Sequence, residues 1–312
     1  MSLSAHSTRD GAGGRVAAPR LLDPLVLARI ANLGLIARGV VDGFVSGLHR
    51  AVHLGMSTDF AEHRPYSPGD DVRRIDWRLF ARSDRLHVKT FEAETNADLV
   101  LALDASRSMD FAAAGVRKLD YARMLLASLA HLGSRQRDRV GLATFASDLL
   151  QMVPPAAGRR DAVVAALERV VPTAGADLAT ALERLGAALI RRGVVVVVSD
   201  FYLDATQAAS ALGGLRARGH DVIAFQVLDP AERDLRLDGP RVLEDLETGA
   251  RMPVVPDKVR DAYRVLVREH VTALTDACAV LGIEFTSLDT SAPLDHALFR
   301  FLSERAHARR LR

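Results

Sequence analysis

The sequence predicts an α/β protein with a doubly wound, mostly parallel sheet, and three observations carry that prediction. From Leu99 onward, short apolar runs alternate with amphipathic stretches of helical spacing. Five consecutive valines, Val194 to Val198, form a run with no polar side, as a strand covered on both faces requires. Helix-start signals stand between such runs: Asp177 precedes Leu178, and Asp204 stands three residues before Gln207.

The elements follow in order. Residues 1–20 are rich in Ser, Gly, Ala and Arg and lack an apolar h-region, so they read as a disordered tail and not as a secretion signal. Leu21 to Gly47 has helical apolar spacing, but Gly34, Gly39, Gly43 and Gly47 argue against one unbroken helix. From Asp59 to Glu94 the character changes, with 15 of 36 residues charged against 26% for the chain. This block holds the single tryptophan, Trp77, and a Pro68-Gly69 turn, with Asp70 or Asp71 placed to cap a short helix through Arg82.

Leu99 to Leu103 is the next strand, and Leu119 to Leu132 a helix with Ala122, Leu125, Leu126 and Leu129 on its apolar side. Val140 to Phe145 is a strand, Asp161 to Val170 a short helix, and Asp177 opens a helix bearing Leu178, Leu182, Leu185 and Leu189. After the valine strand come a helix from Asp204 closed by Gly219 and a strand from Val222 to Val227. A hairpin insertion from Arg241 to Val255 turns at Thr248-Gly249. A helix from Lys258 to Leu281, a strand from Ile283 to Leu288 and a helix from Pro293 complete the chain, which ends in Arg305, Arg309, Arg310 and Arg312. The expected organisation is a tail over 1–20, a helical segment with the charged block over 21–95, and the sheet domain over 96–312.

Composition removes several function classes. The 41 Lys+Arg and 39 Asp+Glu leave a net charge of +2, which excludes a strongly basic nucleic-acid binder. Only Lys89, Lys118 and Lys258 are lysines; the arginine excess is spread along the chain and reads as compositional bias. The one cysteine, Cys278, excludes an internal disulfide and a multi-cysteine zinc site. It lies on the stripe Val267, Val271, Leu274, Cys278, so it reads as a buried, inert thiol.

No uncharged stretch approaches the roughly 18 residues of a membrane span, so no transmembrane segment is expected and the expected compartment is the cytoplasm. The P-loop pattern Gly-x-x-x-x-Gly-Lys-Ser/Thr and the nucleophile elbow Gly-x-Ser-x-Gly are both missing from the sequence. His49 and His53 have i, i+4 spacing, but Arg50 stands where a zincin needs Glu.

The most informative short motif is Asp104-x-Ser106-x-Ser108, directly after the Leu99–Leu103 strand. Loops at the carboxyl ends of parallel strands converge on one crevice. Asp200, after the valine strand, enters the same crevice, and together these oxygens suit a hard cation such as Mg²⁺. The competing reading is that Asp104 and Ser106 only cap the next helix.

Asp-x-Ser-x-Ser after a strand, with an Asp after a long valine strand, resembles the metal-ion-dependent adhesion site of von Willebrand factor A domains. Upstream, His63-Arg64-x-Tyr66-x-Pro68-Gly69-Asp70-Asp71-x-Arg73-x-Ile75-Asp76-Trp77, then Ala81-Arg82 and Val88-Lys89-x-Phe91, resembles the MoxR-associated family catalogued as domain of unknown function 58. The resemblance implies a von Willebrand factor A-like fold, with Asp104, Ser106 and Ser108 on the first metal loop and Asp200 on the third. The second loop departs from the pattern. It reads Gly175-Ala176-Asp177-Leu178 where the family has a Thr, so Thr173, Asp177 and Thr180 are the candidate contributors and Mg²⁺ binding is weakened.

The resemblance further implies a non-enzymatic, Mg²⁺-dependent adaptor or chaperone-like partner of a MoxR-type AAA+ ATPase, acting on a client protein, with an acidic side chain of the partner entering the cation's shell. No catalytic residue is assigned. The alternative is a metal-dependent hydrolase or phosphotransferase using Asp104 and Asp200. In the charged block, Arg64, Tyr66, Asp70, Asp71, Arg73, Asp76, Trp77 and Arg82 form either a partner-docking surface or a polar network pinning the N-terminal segment to the sheet.

Overall fold

Side-chain alternation along the strands decides how the sheet is covered. The computed structural model describes residues 23–53, 63–65, 87–89, 97–113 and 115–310, the backbone alone at 46–53, 63–65, 87–89 and 304–310. Among these, α1 (Pro24–Leu27) and α2 (Leu33–His53) precede a two-stranded antiparallel ribbon, β1 (His63–Pro65) and β2 (His87–Lys89). The main unit then runs β3 (Asp98–Asp104), α3 (Lys118–Arg135), β4 (Arg139–Phe145), β5 (Leu149–Ala156), α4 (Arg160–Arg169), α5 (Leu178–Ala188) and β6 (Gly193–Ser199). It continues through α6 (Ala205–Ala217), β7 (Asp221–Leu228), α7 (Pro230–Asp234), β8 (Arg241–Glu244), β9 (Arg251–Val254), α8 (Pro256–Val280), β10 (Glu284–Asp289) and α9 (Asp295–Arg310).

The central sheet has the order β10-β7-β6-β3-β4-β5, parallel except at the β4–β5 edge. Leu99, Leu101, Leu103, Val194, Val196 and Val198 enter one core with α2, α3, α4 and α9. Val100, Ala102, Val195 and Val197 enter the other with α5, α6 and α8. The period of two in β3 and β6 thus places apolar residues in both layers, which is the doubly wound architecture the sequence predicts. The chain leaves β3 for β4 on one side and returns to β6 on the other, so the sheet's switch point lies at β3.

The N-terminal glycines do not break α2, which runs through all four to His53. The interruption comes earlier, before Asn32, whose Oδ1 accepts the Leu35 amide at 2.8 Å. Each glycine inside a helix costs up to about 1 kcal/mol. Burial of Ile36, Val40, Val41 and Phe44 in the α3 core, at about 1.5–3 kcal/mol per large side chain, outweighs that cost.

The sequence reading lacks the β1–β2 ribbon, the 3-10 turn at Arg107–Asp110, β5 and α7. β5 holds Pro154 and Pro155, which argue against a strand; as an edge strand it leaves one side unpaired, where a missing N–H is tolerated. α7 has only five residues, too few for a periodicity, and is set by Pro230 at its first turn and a capping box between Asp229 and Glu232. The hairpin insertion is present as β8 and β9, paired antiparallel from Arg241↔Val254 to Glu244↔Arg251. The expected tail over 1–20 and the expected helix through Arg82 lie outside the described residues.

Gly193 opens β6 where the β3 backbone passes close by. A Cβ there would stand 2.2 Å from the Asp98 carbonyl oxygen, a backbone atom that cannot step aside. Gly193→Ala is expected to destabilise the fold by about 1–3 kcal/mol in urea titrations with the m-value unchanged.

Candidate functional site

β3 and β6 are adjacent and in register, Leu103 opposite Val198, so Asp104 and Ser199 leave the sheet side by side. Asp104 is buried, and both its oxygens accept hydrogen bonds. Oδ1 takes the Ser106 amide at 2.8 Å, and Oδ2 takes the Ser199 hydroxyl at 2.6 Å. Ser199 in turn accepts the Phe201 amide at 3.0 Å. Phe201 has φ of 50°, a left-handed conformation unusual for an aromatic residue, and is held there with its ring edge-on to Phe285, centroids 5.8 Å apart.

The Ser106 and Ser108 hydroxyls stand 3.0 Å apart, one donating to the other. Ser106 also forms a parallel bridge with Thr173, whose amide donates to the Ala105 carbonyl at 2.7 Å, so the 173–176 loop lies against the Asp104–Ser108 loop. Asp177 and Thr180 are engaged with one another at the start of α5. The Asp177 carboxylate accepts the Thr180 amide at 3.0 Å and its hydroxyl at 2.7 Å. Of the three second-loop candidates, Thr173 is therefore the one whose backbone abuts Ser106.

Asp200 carries the feature the sequence reading missed. Its Oδ2 accepts from Lys118 Nζ at 2.9 Å, and the same ammonium donates to Glu232 Oε1 at 2.8 Å. Lys118 is fully buried, its Nζ over the Tyr202 ring at 4.8 Å from the centroid and 5.9 Å from that of Phe111. Burial works against the ammonium, but Asp200 and Glu232 outweigh it and hold the Lys118 pKa above the ordinary lysine value. The Asp104 carboxyl is pushed up to about 6, first by burial and then by the Asp200 charge, against the hydrogen bonds from Ser199 and Ser106.

A further carboxylate enters from the hairpin. Glu247 Oε1 accepts the Ser108 amide at 2.8 Å and Oε2 the Gly175 amide at 2.9 Å. The contacts by which Lys118, Glu232 and Glu247 enter this face follow no local spacing; the partners in them lie 82, 114, 139 and 72 residues away along the chain. The one usable signal was Lys118 itself, a rare lysine in an arginine-rich chain.

The donor chemistry fits a hard cation. Asp104, Ser106, Ser108 and Asp200 present only oxygen; of the buried or half-buried carboxylates here, Asp200 and Glu232 share the Lys118 ammonium and Asp104 is held by Ser106 and Ser199 instead. Lys118 already occupies one oxygen of Asp200, and among the described residues the Asp200 Oδ1 accepts a long 3.4 Å bond from the Tyr202 amide.

The chain matches the family described as "Protein of unknown function DUF58" over residues 62–273, more than half its length. The chain belongs to this family. The DUF58 match takes in Asp104, Ser106, Ser108 and Asp200. It also takes in Tyr66, Asp70, Asp71, Arg73, Asp76, Trp77 and Arg82, which lie outside the described residues, and Arg64, whose backbone forms part of β1. Among relatives, the "Uncharacterized protein Rv1480" of Mycobacterium tuberculosis is 30% identical over 289 residues, covering 91% of this chain and 90% of that protein. The crystal structure of BatB from Bacteroides thetaiotaomicron is similar with a TM-score of 0.48 and 19% identity, over 68% of this chain and 99% of that one. The SpRpn10 VWA domain is similar with a TM-score of 0.41 and 11% identity, over 65% of this chain and 93% of that one.

Two outcomes test the buried chemistry. Lys118→Met leaves Asp200 and Glu232 unpaired in the interior and is expected to cost about 3–5 kcal/mol in urea unfolding; neutralising both acids in the triple variant K118M/D200N/E232Q should recover most of it. Cys278 is buried on α8 and its thiol is pushed up to about 11 by burial, so the thiolate is scarce at neutral pH. The native chain should therefore resist a thiol-specific reagent near pH 8 while the urea-unfolded chain reacts to completion.

Proposed function

We propose that this DUF58 chain is a non-catalytic protein-interaction module that receives an acidic side chain of its partner at the carboxyl ends of β3 and β6. The observation that carries this reading is the convergence of Asp104, Ser106, Ser108 and Asp200 at the sheet's switch point, where ligands of open α/β sheets bind. In the same reading the Ser106 and Ser108 hydroxyls and the Asp104 and Asp200 carboxylates hold Mg²⁺. Bound there, the ion would supply an open coordination position for a carboxylate.

A MoxR-type AAA+ ATPase is the proposed partner, with a client protein as the object of their joint work. The support for it is the resemblance carried by the block from His63 to Phe91. The reading puts this work in the cytoplasm, the compartment that supplies such an ATPase with ATP. Among the described residues no helix is long and apolar enough to cross a membrane. Hydrolysis through Asp104 has weaker support, because its carboxylate is 7% exposed and both oxygens already accept hydrogen bonds, which disfavours attack on a substrate.

The tagged full-length chain, incubated in native lysate with Mg²⁺, is expected to retain a MoxR-type ATPase identified by mass spectrometry. Chelation, and the variants S106A and D104N, should release it. Calorimetric titration of Mg²⁺ and Mn²⁺ should show binding to the wild type and a loss of at least tenfold in S106A, in line with removal of a direct ligand. An ATPase retained equally by all variants sinks the site assignment; heatless titrations sink the metal.

A further inference from the structure

The β8–β9 hairpin is scarcely packed. Of residues 241–255 only Leu243, Glu247 and Val254 are half-buried and the rest are exposed, Val242 at 64% and Met252 at 61%. A cavity of about 680 Å³ opens along the hairpin, lined among others by Phe111, Tyr202, Leu243 and Tyr263. Among the described residues, the hydrogen bonds joining the hairpin to the sheet domain both end on the Glu247 carboxylate.

That carboxylate is aimed by its own turn. Asp245 Oδ1 accepts the Glu247 amide at 2.9 Å, and Asp245 Oδ2 accepts the Thr248 hydroxyl at 2.6 Å. Its receiver is also built. The Ser108 amide comes from the loop after β3, and the Gly175 amide from the loop before α5 at φ of 88°, a conformation glycine adopts without strain. Two N–H groups from separate loops, each meeting one oxygen of one carboxylate, form an anion cradle immediately beside the Ser106–Ser108 hydroxyl pair.

We infer that the Ser108 and Gly175 amides form a carboxylate-binding site, that Glu247 fills it from within the chain, and that an acidic side chain of a partner protein enters it by displacing the hairpin. The last clause rests on the interaction reading above; the first two do not. Displacement is cheap because the hairpin gives up two hydrogen bonds and little buried surface, and the incoming carboxylate remakes both bonds. The surface exposed by the exchange includes the cavity wall, so a partner with an acidic residue flanked by apolar ones fits it best.

The test uses amide resonances of the full-length chain, wild type against E247A, with E244Q as a control on the same hairpin. Hydrogen exchange at Ser108 and Gly175 should quicken at least tenfold in E247A and stay unchanged in E244Q. The probe is a synthetic peptide of residues 241–255. It should shift the Ser108 and Gly175 resonances of E247A saturably and act at least tenfold more weakly on the wild type, and its E247Q version should have no effect. Unchanged exchange in E247A overturns the internal ligand. No response to the peptide in E247A, or equal response in both chains, overturns the displaceable site. None of these readouts involves the ATPase or Mg²⁺, so they separate failure of this inference from failure of the interaction reading.

Discussion

One buried ammonium organises the strand-end face. Lys118 reaches from the first residue of α3 to Asp200 after β6 and Glu232 on α7, tying together three elements that the backbone leaves separate. Asp200 is buried and Glu232 largely so, and a buried carboxylate without a cation beside it is strongly disfavoured. Glu232 also accepts the Asp229 amide with its second oxygen, at 3.1 Å, so the same ion pair closes the capping box that starts α7. Asp104 lies outside this pairing. It is steadied by Ser106 and Ser199 and carries the electrostatic penalty of its burial and of the Asp200 charge. A face with more buried carboxylate than cation is one that favours a further positive charge.

The sheet delivers this face by register. Because β3 and β6 are parallel neighbours, both strands must leave the sheet at the same end, and the switch in winding direction at β3 opens a crevice there. The apolar strand interiors supply rigidity. Val195 to Val198 and Leu101 to Leu103 are fully buried, so the polar loops stand on an incompressible base. The hairpin is the opposite case: it contributes little to either core, and among the described residues its hydrogen bonds to the face run through the Glu247 carboxylate, a division between rigid floor and loosely held cover that suits a binding surface.

The fold was legible where periodicity was strong. The valine run, the leucine faces of α3 and α5, and the caps at Asp177 and Asp204 all appear as read. β5 was hidden because proline content, a fair argument against a central strand, says nothing against an edge. The first-loop motif was legible because Asp104, Ser106 and Ser108 are local. Lys118, Glu232 and Glu247 were not, because ion pairs and cradles assembled across more than 70 residues leave no spacing to read. A clue lay in composition: in a chain with three lysines, the one at the start of a buried helix is where a compact ammonium sits between two carboxylates.

The central claim is that the strand-end face is the surface a partner touches. Hydrogen-exchange footprinting of the full chain, free and in complex with a captured ATPase, tests it most directly. The account predicts new protection over residues 104–111, 173–176 and 199–203, with residues 241–255 becoming less protected as the hairpin yields. Protection confined to the charged block at 59–94, with the strand-end loops unchanged, would contradict it.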